Sequence, residues 1–510
     1  MTEEASTSVG LHPGASRTPL EDVTVSELEE RCRAALQGGA RMQFVYAWFP
    51  HGPHDPEVRY IVHPASAPAP RIWRCRPGLA PLPSLAPIAP LLSWYEREMT
   101  DLCGLRFEGQ PQPDPLVLLP GASLPRAPLL PGSAAPVHYA PAPHNLPVVA
   151  GAAPQDVQLL PFGPIRADVL ESAEFLFLYI GEAILHYQPQ LFFKHRGMEK
   201  RFEGQNPDLA VVLAERVSGI GSVAHAIAFC HAIESAARCE VPRRAMWLRV
   251  LLAELERIYN HLHYLGHLCN TTTLKVADAE GKYLEELAKQ INCRATGSRL
   301  LRSLIAPGGL RREPQLDQIA APLGRLRAEF ESYAELLESS TSHLDRLITT
   351  GILGRRLAFD QGATGPIERA SGVDRDSRRD QPYEAYAEMP LRVALEQGGD
   401  AHARQQVRIA EIANSIEIVT HILDGLPAGA SRIDCHAEPG TEGLGWSESP
   451  RGTLYYAAHL DEKGALARVK IKSPSFSNWR VFPYTVHDSN MMDYAINEAS
   501  FGLSIAGCDR

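Results

Sequence analysis

Two apolar stretches between Asn206 and Cys269 constrain this chain's fold more than any other feature. The first, NPDLAVVLAERVSGIGSVAHAIAFCHAIESAA, is apolar over much of its length. The second, RRAMWLRVLLAELERIYNHLHYLGHLC, starts just after Pro242 and sets Leu248, Leu251, Leu252, Leu255, Ile258, Leu262 and Leu265 at helical spacing. Apolar residues recurring on that period need helices with buried faces. Residues 280–304, 315–350 and 402–425 supply three more helices. Strands are expected on either side of this bundle. PFGPIRADVLESAEFLFLYIGEAIL reads as two strands with Phe175, Phe177 and Tyr179 alternating, and RGTLYYAAHL and LARVKIKSPSF read as strands near the end. No internal repeat is visible.

At 510 residues the chain is too long for one ordinary core, so two or more domains are expected. VSELEERCRAALQ reads as a short amphipathic helix, MQFVYAWFP and VRYIVHP as strands, and SWYEREMTDLCG as a helix closed by Gly104. Residues 25–115 then form a small α+β domain, preceded by a disordered N-terminus over 1–24. Residues 116–155 are rich in proline and alanine, as in PLLPGSAAPVHYAPAPHNLP. Proline fixes φ and removes a donor, so this interval is expected to extend as a linker. The remainder, 156–510, is the mainly helical domain with β additions, and the fold class is α+β.

A net charge of −10 argues against a nucleic-acid binder, which would be basic. No run reaches 18 apolar residues, and the start, MTEEASTSVG, lacks the basic and apolar regions of a signal peptide. The expected location is cytoplasmic, with membrane association only through partners. Nine cysteines are scattered with no C-x-x-C pair. That spacing counts against a zinc ribbon, a thioredoxin-type site or an iron–sulfur cluster held by this chain alone. It suits small buried hydrophobes instead. His263 and His267 stand i, i+4 on a helix without an obvious third ligand, so packing is the expected role. Trp247 and Tyr259 are expected in the core, and HGPH at 51–54 in a turn.

The segment ERVSGIGSVAH, 215–225, allows three readings. Gly219, Gly221 and Ala224 make G-x-G-x-x-A, which in a dinucleotide loop needs a strand before it and a helix after. The glycines can instead let two helices approach closely. The third reading is a metal motif, E-R-x-C-G-I-C-x-x-x-H, with both cysteines replaced.

The neighbouring segments favour the third. LPFGPIRADVLESAEFLFLYIGEAIL, LFFKHRGMEKRFE and ERVSGIGSVAHAIAFCHAIE resemble, in order, the large subunit of energy-converting, membrane-associated nickel–iron hydrogenases of the formate hydrogenlyase type. More distantly they are similar to the 49 kDa subunit of respiratory complex I. RRAMWLRVLLAELERIYNHLHYLG, RASGVDRDSRRDQPYEAY and LSIAGCDR continue the match, and WYEREMTDLCGLRFEGQP resembles the complex I 30 kDa subunit. The likeness covers about residues 30–510. It implies a large subunit of an ion-translocating redox complex related to NADH:quinone oxidoreductase. Implied partners are a small iron–sulfur subunit of the complex I 20 kDa type carrying a 4Fe–4S cluster, a ferredoxin-like subunit and antiporter-like membrane subunits. Implied placement is peripheral, on the cytoplasmic face of the inner membrane. Quinone is one acceptor the likeness suggests, and NAD(H) would enter only through other subunits.

The departures are specific. The family's four thiolates, two from each C-x-x-C motif, fall at Ser218, Gly221, Ser504 and Gly507, and Cys508 is one residue out of phase. Hydroxyl and hydrogen cannot replace soft thiolates at nickel. No metal and no cofactor is therefore expected on this chain. Hydrogenase large subunits carry a tail removed after metal insertion, whereas this chain stops at Arg510, which agrees with a subunit that receives no nickel. By motif position the quinone-binding tyrosine falls at Gly219 and the histidine near Leu170, and the G-P-x-H histidine falls at Arg166. The charged residues that do match are Glu215, Arg216, His195, Arg196, Glu199, His225, Arg375, Asp376, Arg378, Asp380, Asp509 and Arg510. The resemblance places them around the cavity and a proton route. Glu215, Arg216, His225, Arg375 and Asp380 are the candidates for charge and proton relay, with structural ion pairs as the other role open to them. A non-catalytic scaffold subunit is the alternative function. A true nickel–iron hydrogenase and a standalone NAD-dependent enzyme are weaker ones.

Overall fold

Alternating apolar and polar residues in the first module build a four-stranded sheet. In the computed structural model the described residues are 18–65, 67–119, 121–133, 138–140, 142, 145–165, 171–487 and 489–510. The first module contains β1 (Leu20–Asp22), α1 (Leu28–Gln37), β2 (Arg41–Trp48), β3 (Glu57–His63), β4 (Arg71–Cys75), β5 (Leu82–Pro83), α2 (Ser93–Cys103) and β6 (Phe107–Glu108). Sheet order is β1-β4-β3-β2, with only β1 and β4 parallel. β3 is buried at every position and β2 at all but its last. The second module covers what α1 and α2 leave open: Phe44 and Tyr46 pack on Tyr455 and His459. Gly104 ends α2 in the left-handed region, as its position after the apolar pattern predicts.

Two expectations are corrected here. The composition predicts disorder through residue 24, yet Leu20–Asp22 adds a parallel strand to β4, and Asp22 accepts a hydrogen bond from Arg74 Nε at 2.6 Å. Charge pairing, rather than apolar alternation, holds this edge; residues 1–17 lie outside the described residues. The 116–155 interval does not simply extend. Asp101 Oδ2 accepts the N–H groups of Leu116 and Val117, each at 2.8 Å, and Leu116, Val117 and Leu129 are buried on the first module. β7 (Ala122–Ser123) pairs with β8 (His138–Tyr139).

The second module opens with three strands rather than two: β9 (Gln158–Phe162), β10 (Glu174–Ile180) and β11 (Ala183–Gln190), in the order β11-β10-β9. Leu176 and Leu178 are buried beside Phe175 and Phe177, because the central strand β10 is covered on both faces, while β9 at the edge stays largely exposed. Then come α3 (Met198–Arg201), α4 (Pro207–Ala214), α5 (Ser222–Ala237), α6 (Arg243–Thr271) and α7 (Lys275–Thr296). The expected 280–304 helix thus starts earlier and ends at Gly297, which takes the left-handed cap conformation. After β12 (Ile305–Ala306) and β13 (Gly309–Leu310), the 315–350 region divides into α8 (Ala320–Ser339) and α9 (Thr341–Leu347). α10 (Arg355–Asp360), α11 (Pro366–Ala370), α12 (Ser377–Asp380) and α13 (Ala401–Gly425) follow. The antiparallel sheet β14 (Glu442–Ser449), β15 (Gly452–Leu460) and β16 (Leu466–Lys472) leads to α14 (Pro474–Val481), α15 (Met491–Phe501) and α16 (Ile505–Asp509).

α5 is the axis of this module, buried from Ser222 through Ala236 between the last sheet and the bundle. It can lie directly on β14 because that strand carries glycine where they meet. A Cβ on Gly445 would sit 2.2 Å from the Ala228 carbonyl oxygen, and one on Gly443 2.0 Å from that of Ala232. α6 packs beside it with its leucines fully buried, and Trp247 and Tyr259 are core residues. Eight of the nine cysteines are buried and all are free thiols, in keeping with packing roles. One apolar cluster runs through both modules.

Candidate functional site

Residues 215–221 form the turn between α4 and α5, closed by Gly221 N donating to Ser218 O at 3.0 Å. A helix, not a strand, precedes the glycines, so the dinucleotide-loop reading is excluded. At the other end of the chain Ser504 caps α16, its Oγ accepting the Gly507 N–H at 2.9 Å. These two distant segments meet. A Cβ on Gly507 would lie 3.2 Å from Ser504 Oγ and 3.5 Å from Ser218 Cβ. One on Gly221 would lie 3.9 Å from Ser218 Cβ and 3.5 Å from the His225 ring. Ser218, Gly221, Ser504 and Gly507 therefore converge on one point, while Gly219 faces outward and its carbonyl accepts from Arg302 at 3.0 Å.

The residues at that point do not fit a thiolate-bridged nickel–iron centre. They offer two hydroxyls and no sulfur, and they pack at van der Waals distances. Ser504 Oγ is engaged by Gly507 and donates to Glu171 at 3.4 Å. Cys508 is fully buried, and burial pushes its thiol well up, which disfavours the thiolate a metal needs. Among the described residues no group of three His, Cys, Asp or Glu is placed to hold a metal ion. His263 belongs to a surface pair with Glu285 at 3.0 Å, and its ring lies 6.5 Å from that of His267.

Polar contacts lock the two segments together. Arg196 donates to the carbonyls of Arg216 (2.9 Å), Val217 (2.6 Å) and Ala506 (2.9 Å). His195 Nδ1 shares a 2.6 Å hydrogen bond with the Asp509 carbonyl. Asp509 Oδ2 accepts from Lys194 N at 2.9 Å, Oδ1 has no hydrogen-bond partner among the described residues, and burial pushes this carboxyl up to about 7. Glu171 accepts the Ile505 N–H. Arg510 donates to Glu98 on α2 (2.8 Å), to Glu199 (3.2 Å) and to the Ile471 carbonyl (2.6 Å), so it bridges both modules.

The relay candidates divide. His225 Nδ1 shares a 2.7 Å hydrogen bond with the Tyr456 hydroxyl, and burial lowers its pKa to about 3, leaving it neutral. Glu215 accepts from Ser303 N at 2.6 Å; its second oxygen makes no hydrogen bond among the described residues but lies 3.6 Å from Arg216 Nη1, and burial raises its pKa. Arg216 has a side chain 48% exposed that turns back onto the Val212 carbonyl at 2.7 Å and lies 3.6 Å from Glu215, so its charge stays hydrated. Arg375 and Asp380 do not join the converged motifs. They line a separate cavity against the first module, with Arg41 and Lys472. The turn into α12 sends Asp376 and Arg378 inward instead, to Arg369 and Glu254. Arg166 and Leu170 lie outside the described residues.

Sequence reading missed Glu256. Its carboxylate accepts from Val223 N (2.7 Å) and Ala224 N (3.0 Å) at the start of α5, and burial raises it to about 7. Tyr259 and Asn260 donate to the Ile220 carbonyl of the same turn, at 3.0 and 2.7 Å. The available signal was a carboxylate inside a helix whose flanks are apolar. With Asp509, Glu256 gives this region two buried carboxyls that burial pushes up to about 7.

Fold and site together define a class: a hydrogenase-type large subunit behind a module of the complex I 30 kDa kind. The family model for the respiratory-chain NADH dehydrogenase 49 kDa subunit matches residues 284–439 and 434–510. That for nickel-dependent hydrogenase matches 196–299, and that for the respiratory-chain NADH dehydrogenase 30 kDa subunit matches 35–131. Formate hydrogenlyase subunit 5 of Escherichia coli (strain K12) is 30% identical over 422 residues, which is 81% of this chain and 74% of that protein. Hydrogenase-4 component G of the same organism is 29% identical over 81% of this chain and 72% of its own length. An NADH-quinone oxidoreductase subunit of Solibacter usitatus (strain Ellin6076) is 30% identical over 65% of this chain and 88% of its own length. The chain belongs to this family of hydrogenase and NADH-quinone oxidoreductase large subunits. A chain of the membrane-bound sulfane sulfur reductase, an archaeal respiratory membrane complex, shares the fold at a TM-score of 0.66 and 24% identity, over 70% of this chain and all of that one. Among the described residues no helix is long and apolar enough to cross a membrane.

Proposed function

We propose that this chain is the large subunit of a membrane-associated, ion-translocating redox complex and that it works without a nickel–iron centre. Electrons would arrive from a 4Fe–4S cluster in a small partner subunit and pass to quinone or another acceptor. Antiporter-like subunits would carry the ion movement, with a ferredoxin-like subunit upstream and NAD(H) handled elsewhere in the complex. The complex would sit on the cytoplasmic face of the inner membrane. The observation that carries this reading is the convergence of Ser218, Gly221, Ser504 and Gly507 at van der Waals distances, with the surrounding family charges retained. The thiolates are replaced, but the frame of ion pairs that closes the pocket persists. Asp509 and Glu256 then become the groups that can hand over protons when charge arrives.

Elemental analysis of the purified complex tests this. Nickel well below one atom per chain is expected, and one nickel per chain overturns the proposal. Asp509→Asn separates a working cavity from a scaffold: turnover should fall while the complex still assembles. Unchanged turnover in an assembled complex would assign the chain a scaffold role.

A further inference from the structure

The cavity holding Arg375 and Asp380 is a different place from the converged motifs. It lies between the modules, about 20 Å³ in volume, walled by β2 on one side and by the loops after α10 and α11, β15, β16 and α14 on the other. Four cations line it: Arg41, Arg375, Lys472 and Arg480. Three carboxylates line it too, but each is already engaged. Glu368 is ion-paired with Arg41. Asp376 is held by Arg378 at 2.7 Å and Arg369 at 3.2 Å, neither of which lines the cavity. Asp380 is held by Arg379 at 2.7 Å and by the Asp376 N–H at 3.0 Å.

Among the described residues three cations are left without an anion. Lys472 is 3% exposed and donates to the Thr453 carbonyl at 3.0 Å, a neutral acceptor. Arg480 is 7% exposed and donates to the Pro90 carbonyl and to Gln361 Oε1, also neutral. Arg375 has no described carboxylate within ion-pair distance. Burial, reinforced by Arg41, lowers Lys472 to about 7 and Arg375 to about 10, the signature of cations crowded together out of water. Buried charge is stable only when it is paired.

We infer that this cavity binds one monatomic, halide-sized anion, held by Lys472, Arg375 and Arg480 on the second module's side of the cavity. The size follows from the volume, which admits a single water-sized species and excludes phosphate, sulfate and carboxylates. The three cations come from three different segments, and a spherical anion, which asks for no fixed donor direction, suits them better than a carboxylate, which would call for a bidentate fork.

Chlorine NMR line broadening on the full-length chain tests the site directly. The expected result is excess broadening that bromide competes away and that Lys472→Met removes. Replacing gluconate by chloride at constant ionic strength should also raise the thermal midpoint, by about 1–2 °C, in the wild type and not in the variant. If Lys472→Met does not fold, Arg375→Gln serves the same comparison. Broadening that is absent, or that survives both substitutions, overturns the inference, and so does a midpoint indifferent to the anion, which would mean the cavity takes water.

Discussion

Glu199→Gln should be one of the most damaging single-atom changes available to this chain. Its carboxylate is buried and accepts from Arg468 at 2.8 Å, from Arg510 at 3.2 Å and from the Ile471 N–H at 3.2 Å, with Lys470 Nζ at 3.1 Å. Lys470 and Arg510 also reach Glu98 on α2, so the cluster joins the modules and the last residue. In the wild type three cations share two carboxylates. The amide leaves them with one, and it turns an N–H₂ toward them. Removing one partner of a buried ion pair typically costs about 3–5 kcal/mol. Against a total stability of about 5–15 kcal/mol, that is a large fraction.

Chemical denaturation of the full-length chain measures the loss as a shift in midpoint. The second arm is the double variant Glu199→Gln/Lys470→Met, which removes one of the stranded cations and should recover part of the loss. A loss under about 1 kcal/mol would refute the reasoning, since it matches an exposed pair. A double variant no better than the single one would refute it equally. The acid limb gives an independent check. Burial works to raise the Glu199 pKa, but Lys470, Arg468 and Arg510 outweigh it and hold the folded-state value well below the carboxylate range. Its contribution is therefore fully present above the unfolded value of about 4.3 and is lost as pH falls toward the folded value. The variant should lack that acid-dependent fall.

The helices and the chain order of the two modules were legible because they rest on periodicity, which is local. α6 begins after Pro242 and carries its leucines on the predicted face. Convergence of 218–221 with 504–507 was legible only through resemblance, since nothing in either segment points to the other. What escaped depends on where a side chain turns. Arg375, Asp376, Arg378 and Asp380 are near neighbours in sequence, yet the turn into α12 buries Arg378 against Glu254 and ties Asp376 to Arg369 and Arg378, while Arg375 and Asp380 line the intermodule cavity without those partners. Arg216 follows a buried glutamate but keeps its own charge in water. β1 was missed for a related reason: an acidic edge strand held by Arg71 and Arg74 has the composition of a disordered tail. Glu256 carries only a weak mark, a carboxylate between apolar helix positions, because the two backbone N–H groups that satisfy it come from α5, about thirty residues away in sequence.

Two further expectations follow from close contacts and from burial. Gly445→Ala should cost about 3 kcal/mol or more, at the upper end for overpacking, because its Cβ would meet the α5 backbone rather than a movable side chain. Gly324→Ala, in α8 with nothing within 4 Å of its Cβ, is the control and should stabilise by about 0.5–1 kcal/mol; equal midpoints for the two variants would refute the account of how α5 seats on β14. Asp509→Asn should change how stability depends on pH. The wild-type carboxyl titrates near 7 in the folded chain and near 3.9 when unfolded, so between those values the folded state holds the extra proton. Stability from this group is therefore fully present below about pH 4 and declines as pH rises toward 7, by up to about 1.4 kcal/mol per unit. The amide cannot titrate, so the difference between wild-type and variant denaturation midpoints should slope over that window and be flat above it. A difference with no slope there would mean that Asp509 stays ionised, and the pocket would then have lost the proton its proposed function draws on.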